Sequence, residues 1–346
     1  MFHKMTHIMS ETELLDSAFL RAKAVKLPYD PKRSKKSAGK LIEKTKVIVF
    51  SEALKKHFDK INKMMPSIEL LPPFYRDLAE IAVNKDDFKK SLNSVRWADK
   101  KIRALGGACR RKMSKTTPEK AVVFRKQFFG RASSVVKDIR KDLVILETSR
   151  KKLRRLPRLL PLPTFVLAGA PNAGKSSVLQ ALTGAKPEIQ PYPFTTKGLL
   201  LGYIDKQVQL IDTPGLLDRA LEERNRIEMQ AMLAITHIAE GLVFIFDPTD
   251  ASGYSFEVQA ALFRGLKENF GGLNFFVCLN KQDLASKKEI SRAKKFFEKE
   301  VVFETSVKTD KNIAELKIFL KKESRKLRAR QAHSEEHARP TSQQGR

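Results

Sequence analysis

Apolar positions in the first 160 residues of this 346-residue chain recur at intervals of three, four and seven. Phe50, Leu54, Phe58, Ile61 and Met65 form one series. Phe88, Leu92, Val95, Ile102 and Leu105 form a second, and Val136, Ile139, Leu143, Leu146, Leu153 and Leu156 a third. Each series falls on one face of a helix, and helices with a single apolar stripe predict an antiparallel bundle. Core packing is the reading taken for the Phe, Met and Trp97 positions at this spacing, in preference to a ligand box. Pro72-Pro73 and Gly106-Gly107 predict turns, and the stretch Ser34 to Lys40 reads as a mobile loop.

The pattern changes at residue 164, where short apolar runs begin to alternate with amphipathic ones. Strands are predicted at 164–168, near 198–204 and 207–211, and at 242–246, 274–279 and 300–304. Helices are predicted at 175–183, 225–236, 255–268, 286–299 and 311–329. Such alternation defines a doubly wound, mostly parallel α/β domain. Between the halves, Leu156-Pro157-Arg158-Leu159-Leu160-Pro161-Leu162-Pro163 carries too many prolines to remain helical. The expected organisation is an all-α helical bundle over 1–156 and a proline-rich hinge over 157–163. An α/β domain follows over 164–330, then a disordered polar tail over 331–346.

Chemistry enters at the ends of the predicted strands. Gly169-Ala170-Pro171-Asn172-Ala173-Gly174-Lys175-Ser176 fits the phosphate-loop pattern and lies between a strand and a helix, the context the pattern requires. Gly169 and Pro171 are expected to shape the loop so that the backbone N–H groups of Asn172, Ala173, Gly174, Lys175, Ser176 and Ser177 converge on phosphates, aided by the helix N-terminus. Lys175 is expected to reach the β- and γ-phosphates, with Ser176 on Mg²⁺. Asp212-Thr213-Pro214-Gly215 follows the next strand; Asp212 is placed to order Mg²⁺, and Gly215 to meet the γ-phosphate. Asn280-Lys281-Gln282-Asp283 reads as the guanine-recognition motif, in which Asp283 accepts from the base N1–H and exocyclic amine. Adenine would leave that carboxylate unpaired. Ser306-Val307-Lys308 matches the loop that touches the guanine oxygen, with Val in place of the usual Ala. Four motifs in order, each at a strand end, make the C-terminal half a P-loop GTPase domain.

Two segments are expected to follow the nucleotide state. One runs from Gly184 to Gly198 and contains Thr195 and Thr196, of which Thr196 is favoured as the Mg²⁺ and γ-phosphate ligand. The other spans Asp212 to Arg226. A Ras-like glutamine would follow Gly215, but Leu216 and Leu217 stand there, so slow intrinsic hydrolysis is expected. Asn172 is weighed equally as a K⁺ ligand near the phosphates and as a brace of the loop. Arg219, Arg224 and Arg226 offer transition-state charge, against the simpler reading of solvated side chains.

Charge separates the halves. Residues 1–160 hold 40 basic and 17 acidic residues, whereas 161–320 hold 19 of each. With +28 overall, the imbalance points to a polyanionic partner of the N-terminal half, RNA or an anionic membrane. Its clusters are Lys32-Arg33, Lys35-Lys36, Arg110-Arg111-Lys112, Lys151-Lys152 and Arg154-Arg155. No apolar run reaches the roughly 18 residues of a membrane span. Two cysteines give no disulfide framework, and a reducing, cytoplasmic setting is expected.

The phosphate loop, Tyr192-Pro193-Phe194-Thr195-Thr196-Lys197-Gly198 and Asp212 to Arg219 resemble the Obg/Nog GTPases. Leu221-Glu222-Glu223-Arg224-Asn225 and Phe246-Asp247-Pro248-Thr249 narrow the resemblance to the nucleolar GTP-binding protein (Nog) branch. It covers nearly the whole chain, basic bundle included, and in length the chain is similar to a compact archaeal form. The resemblance implies an assembly factor of the large ribosomal subunit that binds its precursor and rRNA, monomeric away from the ribosome. Three alternatives remain at this point: an RNA-binding scaffold with negligible turnover, a tRNA-related GTPase, and a membrane-surface switch.

Overall fold

The computed structural model of the chain describes residues 2–26, 34–193, 198–218 and 226–337. It divides into two compact units, Met1–Leu71 with Ala82–Arg154, and Pro72–Ile81 with Arg155–Arg346.

The first unit is helical: α1 (Glu11–Lys23), α2 (Lys35–Met64), α4 (Lys85–Ser114), α5 (Pro118–Asp138) and α6 (Arg140–Leu153). Ser10 and Glu13 form a capping box that starts α1, and Asn84 accepts from the N–H groups of Asp86 and Asp87 to start α4. The apolar stripes meet in one core, where Phe50, Leu54, Phe58 and Ile61 of α2 are buried with Val95 of α4 and Leu146 of α6. Phe50 meets Phe128 edge-on at 5.9 Å. Three expectations are corrected here. Gly106 and Gly107 lie inside α4, because a Cβ on Gly106 would come within 3.0 Å of Ser51 Oγ on α2. The glycine permits close helix contact and marks no turn. Ser34 to Lys40 is no loop either, since Ser34 caps α2 by accepting from the Ser37 N–H. Trp97 is 48% exposed, so it lies outside the core in which it was expected to pack.

His57 of α2 is buried and accepts the Met9 N–H at 3.3 Å. Burial, helped by Lys60, lowers its pKa to about 4. The unfolded chain therefore binds a proton near pH 6.5 that the folded chain refuses until about pH 4. Stability is expected to fall across that window as pH drops, by up to about 3 kcal/mol. His57→Gln, which keeps an acceptor for Met9, should flatten the slope in urea unfolding followed from pH 7 to 4. Glu147, held down to about 2 against the cost of burial by hydrogen bonds from Arg150 and the Ile8 N–H, loses its contribution only at lower pH.

The second unit is a seven-stranded sheet in the order β2-β3-β4-β1-β5-β6-β7. The strands are β1 (Thr164–Ala168), β2 (Glu188–Gln190), β3 (Leu199–Ile204), β4 (Val208–Asp212), β5 (Ala239–Phe246), β6 (Asn274–Leu279) and β7 (Val301–Glu304). β4, β1, β5, β6 and β7 run parallel, and β3 joins β4 antiparallel. The helices are α7 (Lys175–Thr183), α8 (Arg226–Thr236), α9 (Phe256–Asn269), α10 (Lys287–Phe296) and α11 (Ile313–His337). Alternate residues of each parallel strand face opposite layers. Phe165, Leu167, Val243 and Ile245 share a core with Val178 and Leu182 of α7 and Leu316 and Leu320 of α11. On the other side Phe244 and Phe246 pack against Phe263 and Phe297. Because α11 continues to His337, residues 331–337 are helical where a disordered tail was expected. That segment, Gln331-Ala332-His333-Ser334-Glu335-Glu336-His337, contains no proline or glycine to stop the helix.

The division differs from the expected 1–156 and 164–330 in two places. α3 (Pro73–Ala82) comes from the helical half of the sequence but belongs to the second unit. Its Phe74 stacks with Tyr192 at 6.5 Å, and Asp77 Oδ2 lies 2.9 Å from His237 Nε2. The proline-rich segment is likewise tied into this unit. Tyr75 bridges it, donating to the Pro157 carbonyl and accepting the Leu159 N–H, while Gln209 Oε1 accepts the Leu160 N–H at 3.1 Å.

Candidate functional site

Five neighbouring parallel strands, β4-β1-β5-β6-β7, deliver their carboxyl ends to one edge of the sheet, where α/β folds bind ligands. From β1 the chain enters Gly169, whose φ of +138° and approach to the Ile245 carbonyl leave no room for a Cβ. The loop turns through Asn172 at φ +59° and Gly174 at φ +101° into α7. Gly174 is required there, since a Cβ would lie 2.3 Å from Asn280 Nδ2. That amide donates to the Ala173 carbonyl at 3.0 Å and so ties the phosphate loop to the base-recognition motif.

Lys175 is buried, and its ammonium donates to the carbonyls of Gly169 and Ala170 at 2.8 and 2.9 Å. Burial lowers its pKa, against the opposing influence of Asp212 and Asp218. Ser176 Oγ donates to Asp212 Oδ2 at 2.7 Å. Asp212 is fully buried, and burial raises its pKa despite the Ser176 bond. Asp212 Oδ1 and Thr213 Oγ1 are buried without a hydrogen-bond partner among the described residues. A hydroxyl and a desolvated carboxylate with a spare oxygen fit a hard divalent cation such as Mg²⁺. Gly215, at φ +82°, donates its N–H to Asp218 Oδ2 at 2.9 Å. Leu216 and Leu217 are 1% and 3% exposed, so neither side chain meets the phosphate side.

At the base end, Ser306 Oγ donates to Asp283 Oδ1 at 2.6 Å, and Lys308 Nζ lies 4.0 Å from Oδ2. The Ser306 bond is the main cause that holds the Asp283 carboxyl below its usual range. Val307, half-buried, packs against the core beneath α7 and α11. Sequence reasoning missed Asp247. This buried carboxylate directly follows β5, pairs with Lys281 Nζ at 2.7 Å and accepts from Thr249, both N–H and hydroxyl. Phe246-Asp247-Pro248-Thr249 had served only as a family mark; an acid at the end of a buried strand was the available signal. Thr195, Thr196, Arg219 and Arg224 lie outside the described residues, as do Lys32 and Arg33. The side chain of Arg226 does as well.

The described members of the basic clusters, Lys35, Lys36, Arg110, Arg111, Lys112, Lys151, Lys152, Arg154 and Arg155, are all exposed. Lys40 Nζ donates to the Ser114 carbonyl and Lys44 Nζ to Ser114 Oγ. The start of α2 and the end of α4 therefore lie together, which joins the clusters at 35–36 and 110–112. The cluster from Lys151 is at the far end of the bundle. Arg150 donates to the Met5 carbonyl, and the adjacent Thr6 N–H contacts Met64, the last residue of α2. About 45 Å of helix separates Met64 from Lys35. No helix among the described residues is long and apolar enough to cross a membrane.

Fold and strand-end loops together define a P-loop GTPase domain joined to a helical one. Comparison with known families agrees: residues 2–159 match the NOG1 N-terminal helical domain, and residues 164–281 the 50S ribosome-binding GTPase family. An uncharacterized protein of Methanocaldococcus jannaschii is 39% identical over 84% of this chain and 83% of its own length. Nucleolar GTP-binding protein 1 of Kluyveromyces lactis is 34% identical over 72% of this chain and 40% of its own. A Plasmodium falciparum structure described as nucleolar GTP-binding protein 1 is 30% identical, covering 53% of this chain and 96% of that one, with a TM-score of 0.45. The chain belongs to the NOG1 family of GTP-binding proteins. It spans 40% or less of the length of the eukaryotic relatives named nucleolar GTP-binding protein 1.

Proposed function

We propose that the chain is a slow GTPase that binds rRNA on the precursor of the large ribosomal subunit, with nucleotide state setting association and release. The observation that carries this reading is the joining of a nucleotide-binding region that is neutral over residues 161–320 to a helical unit with exposed basic clusters. The family descriptions and the relatives' names, 50S ribosome-binding and nucleolar, direct it toward ribosomal RNA. Its location would be wherever that precursor is assembled.

In this reading backbone N–H groups of residues 172–177 and the Lys175 ammonium hold the phosphates, and Lys175 exchanges the Gly169 and Ala170 carbonyls for phosphate oxygens. Ser176 and Asp212, with Thr196 or Thr195, would hold Mg²⁺, which neutralises phosphate charge when bound. Gly215 N–H is the sensor: Asp218 takes it in the structure described above, and a γ-phosphate oxygen would compete for it. The segment after Asp212 would thus change partners with nucleotide state. Asn280, Lys281 and Asp283 orient guanine, with Lys281 braced by Asp247.

Hydrolysis requires a water aligned on the γ-phosphate, and the burial of Leu216 and Leu217 leaves no side chain directly after Gly215 to align it. A ribosomal partner or K⁺ beside the exposed Asn172 would complete the site. Turnover is expected to be faster in K⁺ than in Na⁺, and Asn172→Ala should remove the difference. Equal rates in the two salts with the native chain would rule K⁺ out. The same buried leucines favour one second reading, a nucleotide-dependent RNA scaffold with negligible turnover; hydrolysis measured with and without subunits separates the two.

The role itself is tested by co-sedimentation with large subunits or their precursors, in GDP and in a non-hydrolysable GTP analogue. Pelleting is expected to depend on nucleotide and to fall steeply with salt. With ~6–10 phosphate contacts, affinity should drop ~10³–10⁵-fold between low and moderate ionic strength. Absence of pelleting in both nucleotide states would refute it.

A further inference from the structure

We infer that Trp97 and the lysines around it on α4 form a stacking site for an unpaired RNA base, a refinement that rests on the RNA reading above. Trp97 is the only tryptophan of the chain, and it leaves 48% of its surface in solvent. The buried stripe of the same helix, Phe88, Leu92, Val95 and Ile102, serves the core on the opposite side. Neighbours of Trp97 one helical turn away are Asn93, Ser94, Lys100 and Lys101, and Lys90 lies one turn further. An open groove runs from Trp97 past Ser94, Asn93, Lys90 and Lys89 to Asp86. Asp86 is the one acid in it, while Asp99 of the same helix is held by Arg103.

This surroundings decides among occupants. A lipid surface or an apolar partner groove calls for a continuous apolar patch. Around Trp97 stand amide, hydroxyl and ammonium groups instead. A flat aromatic face between cations matches a nucleobase with phosphates on either side, the arrangement used for single-stranded RNA. The face continues toward the basic end of the bundle. Arg111 lies two heptads, 14 residues, beyond Trp97 on the same side, about 21 Å along the helix. A strand whose phosphates are gripped at the junction of α2 and α4 would pass Trp97.

The single tryptophan is its own probe. The full chain is titrated at fixed salt with a short single-stranded adenine oligoribonucleotide and with a blunt RNA duplex of equal phosphate number. Single-stranded RNA is expected to quench tryptophan emission, and the duplex to bind without quenching. Trp97→Ala should weaken single-strand binding roughly 5–150-fold, the worth of one stacked base, and leave duplex binding unchanged. Trp97→Phe should retain most of the affinity. Because the side chain is exposed, both variants should unfold at the native temperature. Single-strand binding without quenching, equal quenching by duplex, or unchanged affinity of Trp97→Ala would overturn the stacking site. If Arg110→Glu with Arg111→Glu abolishes binding in that case, the RNA reading survives alone. No binding of either RNA overturns both, and a blue shift of tryptophan emission on phosphatidylserine vesicles without any response to RNA assigns the face to membranes.

Discussion

Lys175→Ala will remove nucleotide binding while leaving the empty protein folded. The ammonium is buried and, among the described residues, donates to two carbonyls of its own loop, and burial lowers its pKa. Such a cation is held at a cost and is recovered only when phosphate oxygens replace the carbonyls. Its loss should reduce GTP and GDP affinity by at least about 10²-fold, since charge-assisted bonds to phosphate are among the stronger ones. Saturating GTP at 100 times its dissociation constant should stabilise the native chain by about 2.7 kcal/mol. The variant should show at most about 0.4 kcal/mol of that rise at the same GTP concentration, with little change in its midpoint without GTP. Tight GTP binding by the variant would contradict the phosphate-loop role of Lys175.

The position of Lys175 was legible because the patterns around it are short and local. A short continuous apolar run followed by a glycine-rich turn and a helix can be read within about 20 residues, and β1, α7 and β6 fall where the apolar runs placed them. What escaped depends on contacts distant in sequence. β2 has only three residues, too few to show alternation, and exists because it pairs with β3. α3 has the composition of its neighbours in the bundle, yet Phe74 finds Tyr192 more than a hundred residues away. Gly106 looks like a turn signal until Ser51 is seen across the helix contact. Asp247 acquires its partner Lys281 only when β5 and β6 pair. Trp97 stands two residues after Val95 and five before Ile102, so the helical period already turns it away from the buried stripe, and only its aromatic character argued for the core. The polar clusters were legible as charge but not as places: closing the bundle puts two together and sends the third to the other end.

Asp283→Asn should lower GTP affinity on the order of 10²–10⁴-fold and erase the preference for guanine over adenine nucleotides. The carboxylate has two acceptor oxygens, and the Ser306 hydroxyl occupies one lone pair of Oδ1 from the side, which fixes the plane of the group. An amide in its place turns one acceptor into a donor, which then meets the N1–H or the exocyclic amine of guanine head-on. Removing only the brace should cost far less. Ser306→Ala leaves both acceptors and frees their orientation, so about a tenfold loss is expected, the worth of one hydrogen bond. The comparison separates recognition from positioning. If Asp283→Asn kept native discrimination between GTP and ATP, the base would have to be read elsewhere. If instead both variants fell equally, the carboxylate would be acting through Ser306 to hold the loop, and the hydrogen bonds to guanine would contribute little.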